Sequence, residues 1–367
     1  MAGKLDTIIK VTITRQTSPV EIPSFDIILI AGVNWTFGGR YKLYSTSDLA
    51  AIAADLTLGT ADPEYLAASA IASQNPRPAF IAGGRKDGGD ADYGVTLAAV
   101  ALENSEFYGV IGATRVVSEQ EEITDWTQAN KRYAMFASAG TDIGGGVMDI
   151  IDEADGVDDS SIAYYLKNNT IDRASAFYHL LATSDYLDAG AMGALLIKRP
   201  GTYTAMFKQV SGSSVDTLTP TQQANLFAKF GNSYELVAAR NMIQEGWVGT
   251  GEFMDLIVWI DWLEAQVQTN LFALLSNQDK IPFTDPGILT IENNLRQTLQ
   301  VEQDVGAITP HNFDDNNVRT GGFDVRVPAA SSILLADKTA RILKNVEFDA
   351  YYETPIHRVW IDGVVRL

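Results

Sequence analysis

No cysteine occurs among the 367 residues, which excludes disulfides, thiolate nucleophiles and thiolate metal sites and is compatible with assembly in a reducing cytoplasm. Basic residues are scarce as well: 27 Lys and Arg stand against 46 Asp and Glu, a formal charge of −19. Phosphate contacts need clustered cations, so this balance argues against direct binding of nucleic acid. Long uncharged apolar runs are missing. The most apolar helical stretch is broken by Asp255, Asp261 and Glu264, which are costly in lipid, so no membrane insertion is expected. Residues 1–10 hold a Lys and an Asp before a short run of Ile8, Ile9 and Val11, too little for the apolar core of a signal peptide. Only three histidines occur, His179, His311 and His357. They lie far apart without HExxH spacing, so zinc is not supported, and His179 in an apolar strand reads as a satisfied core residue.

What is present fits two or three domains. Over residues 5–15, Ile9, Val11 and Ile13 alternate with Lys10, Thr12 and Thr14, the period of a half-buried strand. Pro19 and Pro23 follow, and residues 1–23 read as an extended arm. Apolar strands are expected at 25–32, 79–82, 108–113, 133–137 and 174–180. Helices are expected at 47–56, 63–74, 95–103 and 186–197, with Ser47 and Asp62 as N-caps. Strands alternating with helices predict an α/β body with helices on a mostly buried sheet. From about residue 212 the texture changes. A capped helix at 219–229 and a strand at 234–240 precede a helix of ~26 residues, in which Phe253, Leu256, Ile257, Ile260, Leu263, Val267, Leu271 and Leu274 repeat at helical spacing. Met254, Val258, Trp259 and Trp262 add a second apolar face, so this helix is expected between layers or against other subunits. Asp285 with Pro286 starts the next helix, which carries Ile288, Ile291, Leu295 and Leu299 as its buried stripe. Residues 346–353 and 356–367 read as strands, with a turn or bulge at Asp362-Gly363.

None of the candidate chemistry is specific. The run from Gly83 to Gly89, with Arg85 and Lys86 inside it, follows a strand as a phosphate loop does, but it fits neither GxxxxGK[ST] nor GxGxxG and reads as a surface loop. Gly144 to Gly146 suit a turn or hinge. The acidic stretch 142–159 fails the ligand spacing of a calcium loop and reads as a solvated face. No GxSxG elbow or spaced triad is present. Asp261 and Glu264 share one helical face and read as partners of Arg or Lys rather than as an acid/base pair. No cofactor and no metal is implied.

Several strings occur in a recognisable order: Leu218-Thr219-Pro220, Gln244-Glu245-Gly246, Gly251-Glu252-Phe253, Asp261-Trp262-Leu263-Glu264 and residues 280–288. They resemble a family of contractile tail sheath proteins of myophages and prophages, as do Tyr65 to Ala68 and Gln74 to Pro78. Between about 87 and 210 no motif matches. The resemblance implies a structural protein, not an enzyme, built as a mixed-sheet outer α/β domain (24–211), an inner, tube-proximal domain with two long helices (212–350) and strand arms at 1–23 and 351–367. It implies rings of the chain stacked around a tail tube protein, baseplate and tail terminator proteins as further partners, and a virion tail assembled in the host cytoplasm. Ile9, Val11, Ile13, Val359 and Ile361 are the expected arm residues, and Lys280, Asp285, Glu292 and Arg296 the expected tube-facing ones. The alternatives are a rigid tail or baseplate ring protein and a nucleotide-binding α/β enzyme using the Gly83 loop.

Overall fold

Strand β1 (Ile28–Gly32) is buried at every position because each of its faces meets a different layer: Ile28 and Ile30 belong to one core, Leu29 and Ala31 to another. The computed structural model describes residues 24–140, 150, 161–314 and 318–361. β1 is followed by β2 (Tyr41–Ser45), α1 (Leu49–Ala54), α2 (Pro63–Ala72), β3 (Phe80–Arg85), α3 (Tyr93–Glu103) and β4 (Gly109–Gly112). Next come α4 (Val117–Ala129), β5 (Tyr133–Ser138), α5 (Ile162–Asn168), β6 (Ala174–Tyr178) and α6 (Leu187–Leu196). The strands form one six-stranded mixed sheet in the order β2-β3-β1-β4-β5-β6. Only β2 runs antiparallel to its neighbour. Helices α1, α2 and α6 pack on one face and α3, α4 and α5 on the other, as apolar strands buried on both sides require. The expected α/β class is what is seen. Strand β2 was not among the expected strands; as an edge strand it alternates only weakly, with Lys42 and Leu43 both exposed.

The chain continues through α7 (Pro220–Ala228), β7 (Ser233–Val237), β8 (Arg240–Gln244), α8 (Met254–Asn277) and α9 (Asp285–Asp304). It closes with β9 (Asn312–Phe313), β10 (Arg319–Gly321), β11 (Phe323–Arg326), α10 (Leu335–Ala340) and β12 (Glu347–Ala350). The single strand expected at 234–240 is a hairpin, β7 against β8. Its turn is Ala238-Ala239, both at positive φ, a conformation alanine seldom adopts and sequence therefore does not announce. Tyr234 and Ile243 of the hairpin, with Val248, Ile257 and Val258, seal the α6 face of the sheet. A separate core gathers Trp259, Leu263 and Val267 of α8, Leu295 and Leu299 of α9, and Phe323 and Val325 of β11. Helix α8 thus serves two cores, but they divide its residues otherwise than expected: Ile257 joins Met254 and Val258, and Trp259 joins Leu263 and Val267.

Three helix starts differ from expectation. Asp48, not Ser47, caps α1 by accepting from Ala51 N. Asp62 stands at the N-cap of α2 but spends its carboxylate on Leu58 N at 2.6 Å. Thr284, not Asp285, caps α9, while Asp285 accepts from Ala330 N at 2.7 Å. Thr219 does cap α7, with the reciprocal bond from Gln222 that completes a capping box. The expected strand carrying Ile9, Val11 and Ile13, the acidic stretch apart from Ile150, and Asp362-Gly363 lie outside the described residues.

Candidate functional site

Helix α8 is bolted to the α/β body by buried ions. Asp261 binds Arg173 Nη2 at 2.5 Å and accepts from the Tyr108 hydroxyl at 2.9 Å. One turn on, Glu264 holds Lys131 Nζ at 2.7 Å from both oxygens. Arg173 precedes β6 and Lys131 precedes β5, so both cations come from one end of the sheet. The two carboxylates are therefore ion-pair partners, as their spacing suggested. Pairs this deep fix geometry more than they stabilise, because desolvation offsets most of the attraction.

The C-terminal segment runs back over the same joint. After β12, Tyr352 bridges to Ile308, lays its ring 4.9 Å from that of Trp259 and donates its hydroxyl to Asp255 at 3.1 Å. Asp255 is 1% exposed and its other oxygen has no partner among the described residues. Burial pushes its carboxyl up to about 6, against the opposing pull of its hydrogen bonds and of Lys208. Farther on, His357 Nε2 lies 2.7 Å from Thr204 Oγ1, and its ring stands edge-on to Phe253 at 4.6 Å. Burial, with the charges of Arg358 and Lys208, lowers its pKa and keeps it neutral at pH 7. Arg358 grips the buried carboxylate of Glu245. Past this clasp the chain is bare: Val359 is 69% exposed, Trp360 86% and Ile361 85%, and residues 353–361 join no strand. Of the expected arm residues, Val359 and Ile361 are thus exposed, while Ile9, Val11 and Ile13 lie outside the described residues.

The strings that carried the resemblance are joints of this region. Gly246 lies at φ +106°, and a Cβ there would stand 2.6 Å from that of Ala205; only glycine turns the chain out of β8 beside Glu245. Phe253 is the N-cap residue of α8 and the platform for His357. At the start of α9 a Cβ on Gly287 would meet the Pro282 carbonyl oxygen at 2.1 Å. Sequence reasoning did not single out Glu245, Asp255 and Arg358 as contact residues, because nothing local pairs positions more than 90 residues apart.

The four expected tube-facing residues divide. Lys280 and Asp285 are exposed on either side of the α8–α9 turn, and Lys280 makes no ion pair among the described residues. Glu292 and Arg296 pair with each other at 2.8 Å, and Arg296 also donates to the Val325 carbonyl at 2.9 Å, tying α9 to β11. The Gly83 loop is a correction. Gly83, Gly84 and Arg85 are strand β3, with Gly83 against the rings of Trp35 and Phe37. Arg85 binds Asp87 and the Phe37 carbonyl, and Lys86 lies over the Tyr93 ring. The basic pair is committed inside the chain. His179 is clamped between Asp216 (2.8 Å from Nδ1) and Asp185 (3.2 Å from Nε2). These carboxylates outweigh burial and raise its pKa to about 9. Among the described residues no helix is long and apolar enough to cross a membrane, and no cluster of His, Asp and Glu could hold a metal.

Residues 254–320 match the family described as E217 tail sheath protein gp31-like, C-terminal domain. That stretch includes the Asp261-to-Glu264 and Lys280-to-Asp285 strings. Curated protein sequences yield no match. In structure, the chain is similar to a chain of the anti-feeding prophage baseplate (TM-score 0.66, 13% identity, 97% of this chain and 98% of that one). It is similar also to the helical sheath of that particle in the contracted state (0.62, 13%, 96% and 98%) and to the contracted PVC sheath of an extracellular contractile injection system (0.64, 10%, 97% and 97%). Over nearly its whole length the chain has the fold of these sheath and baseplate chains, and its residues 254–320 are similar in sequence to the C-terminal domain of the E217 gp31-like tail sheath proteins.

Proposed function

We propose that copies of this chain stack as rings around a tail tube protein and shorten together to drive the tube through a cell envelope. The observation that carries this reading is the C-terminal segment. Its root is clasped to the body through Arg358 and Glu245, and immediately beyond it Val359, Trp360 and Ile361 are exposed. An extended apolar end of this kind adds as a strand to a neighbour's sheet edge, and the main-chain hydrogen bonds so formed survive rotation of the bodies they join. The N-terminal residues Ile9, Val11 and Ile13 supply a second such strand. Contraction exchanges a smaller set of body contacts for a larger one and needs no nucleotide or cofactor, so the chain is not an enzyme. Lys280 and Asp285 face the tube, where exposed pairs are weak enough to release. Baseplate and tail terminator proteins cap the two ends, in a virion tail assembled in the host cytoplasm.

The test is negative-stain electron microscopy of the purified chain, with variants lacking residues 1–18 or 359–367. Hollow striated tubes from the full chain, with order lost in either truncation, support the reading. A monodisperse monomer at every concentration, with and without a tube protein, overturns it. The likeness to a baseplate chain favours a second reading, a rigid ring; rings whose height never changes would establish that one instead.

A further inference from the structure

The C-terminal segment is held at two places of different kind. The first needs no charge. Glu353 N donates to the Ala307 carbonyl at 2.9 Å, and the Tyr352 hydroxyl reaches Asp255, which accepts from it as a carboxylate or as a carboxylic acid, since both forms keep a lone pair. The second rests on side chains, because residues 354–361 make no backbone-to-backbone hydrogen bond among the described residues. There His357 stands edge-on to Phe253 and to Phe207, with ring centroids 4.6 and 6.1 Å apart, and its Nε2 meets the Thr204 hydroxyl at 2.7 Å. A neutral ring can accept from that hydroxyl; a charged ring is a donor at both nitrogens and has to reverse the bond. Arg358, next in the chain, closes on Glu245, which is 1% exposed and whose second oxygen has no partner among the described residues.

The charges that bear on the His357 ring are cationic: Arg358 on its own segment and Lys208 after α6, with Lys198 at the end of α6 beside Lys208. The carboxylates of the neighbouring elements are engaged elsewhere, Glu245 after β8 with Arg358 and Asp255 of α8 with Tyr352, and burial keeps Tyr203 and Tyr352 neutral. Burial and the two cations hold the ring below its usual 6.5, while burial lifts Glu245 above its usual 4.5 against the pull of Arg358. Both groups act in one direction. A released His357 takes up its proton below 6.5 while a held one resists, so the hold weakens as pH falls through that range. Glu245, on taking up its own proton, loses the charge that Arg358 grips. Asp255 titrates on the far side of Glu353 and leaves this part of the segment alone.

We propose that residues 354–358 form an acid-released latch: protonation of His357 and Glu245 frees them from the body while Tyr352 and Glu353 stay in place, which lengthens the free C-terminal end. This stands on contacts within one chain and not on the sheath reading. The absence of cysteine allows spin labels on Ile356→Cys, 78% exposed, and on Leu102→Cys of α3, 72% exposed. Electron–electron double resonance is expected to give one narrow distance at pH 7.5 and a broad distribution at pH 5, the ratio of held to released chains falling reversibly by about tenfold, with far-UV circular dichroism unchanged. His357→Lys and His357→Met, similar in size and different in charge, separate charge from fit at pH 7.5: the Lys variant is expected to be broad and the Met variant narrow. Met should also move the acid transition to lower pH, where Glu245 alone remains. One distribution at both pH values in the parent, the same distribution in the Lys and Met variants, or an acid transition that Met leaves unmoved overturns the proposal. If dichroism shows the whole chain unfolding at pH 5, the Lys and Met variants at pH 7.5 decide alone.

Discussion

Replacing Asp255 by Asn isolates the cost of one buried carboxylate. Among the described residues one of its oxygens accepts from the Tyr352 hydroxyl and the other has no partner, and burial raises its pKa from 3.8 to about 6. The sign is the reverse of a salt-bridged Asp. Because the folded state holds the proton more tightly than the unfolded one, nothing is lost well below pH 3.8, and stability falls as pH rises until it levels off above 6. Linkage puts the cost at about 2 kcal/mol at pH 5 and about 3 kcal/mol at pH 7.5. Asn keeps a carbonyl for Tyr352 and carries no charge, so Asp255→Asn gains on the parent by about 1 kcal/mol between these two pH values. Whatever fixed cost an unpaired amide N–H adds cancels from this difference. Urea unfolding at pH 5 and 7.5, both above the sequence pI near 4.5, measures it, and Trp259 beside Tyr352 offers a fluorescent reporter. A stability difference between variant and parent that is the same at both pH values would refute the argument.

Asp261→Ala takes the nearer of two carboxylates from the buried Arg173 guanidinium, leaving it Asp172 at 3.2 Å, and is expected to destabilise by about 3 kcal/mol, whereas Arg173→Met with Asp261→Leu recovers most of the loss; urea midpoints of the three proteins decide it. His179 contributes stability that is complete below pH 6.5 and lost as pH rises through about 9. Unfolding between pH 6 and 10 should show this decline in the parent and a flatter profile in His179→Gln. Thr219→Ala removes a capping box and is expected to cost about 1 kcal/mol, read by thermal unfolding. Arg358→Ala opens the clasp on Glu245, so hydrogen exchange should quicken over residues 353–358 while β1, β4 and β5 keep their protection. Unchanged exchange there means the clasp does not hold the segment.

The sequence alone determined what depends on near neighbours. The period of Leu263, Val267 and Leu271 set the course of α8, and the stripe of Ile288, Leu295 and Leu299 did the same for α9, because helical neighbours are three and four residues apart. Apolar runs located β1, β4, β5 and β6 because strands buried on both faces admit little else. The spacing of Asp261 and Glu264 indicated ion pairs, and the ordered strings around them indicated a likeness to tail sheath proteins. Tertiary structure decided the rest. Which cations meet those carboxylates depended on the sheet bringing Lys131 and Arg173 to one end, 133 and 88 residues away in the chain. The Ala238-Ala239 turn and the strand at Gly83-Gly84 were settled by packing on the core and on Trp35, against local propensity. The clasp of Arg358 on Glu245 joins positions 113 residues apart, and no periodicity reaches that far. Local patterns fix the elements; the contacts that hold this chain's end in place exist only once those elements are packed.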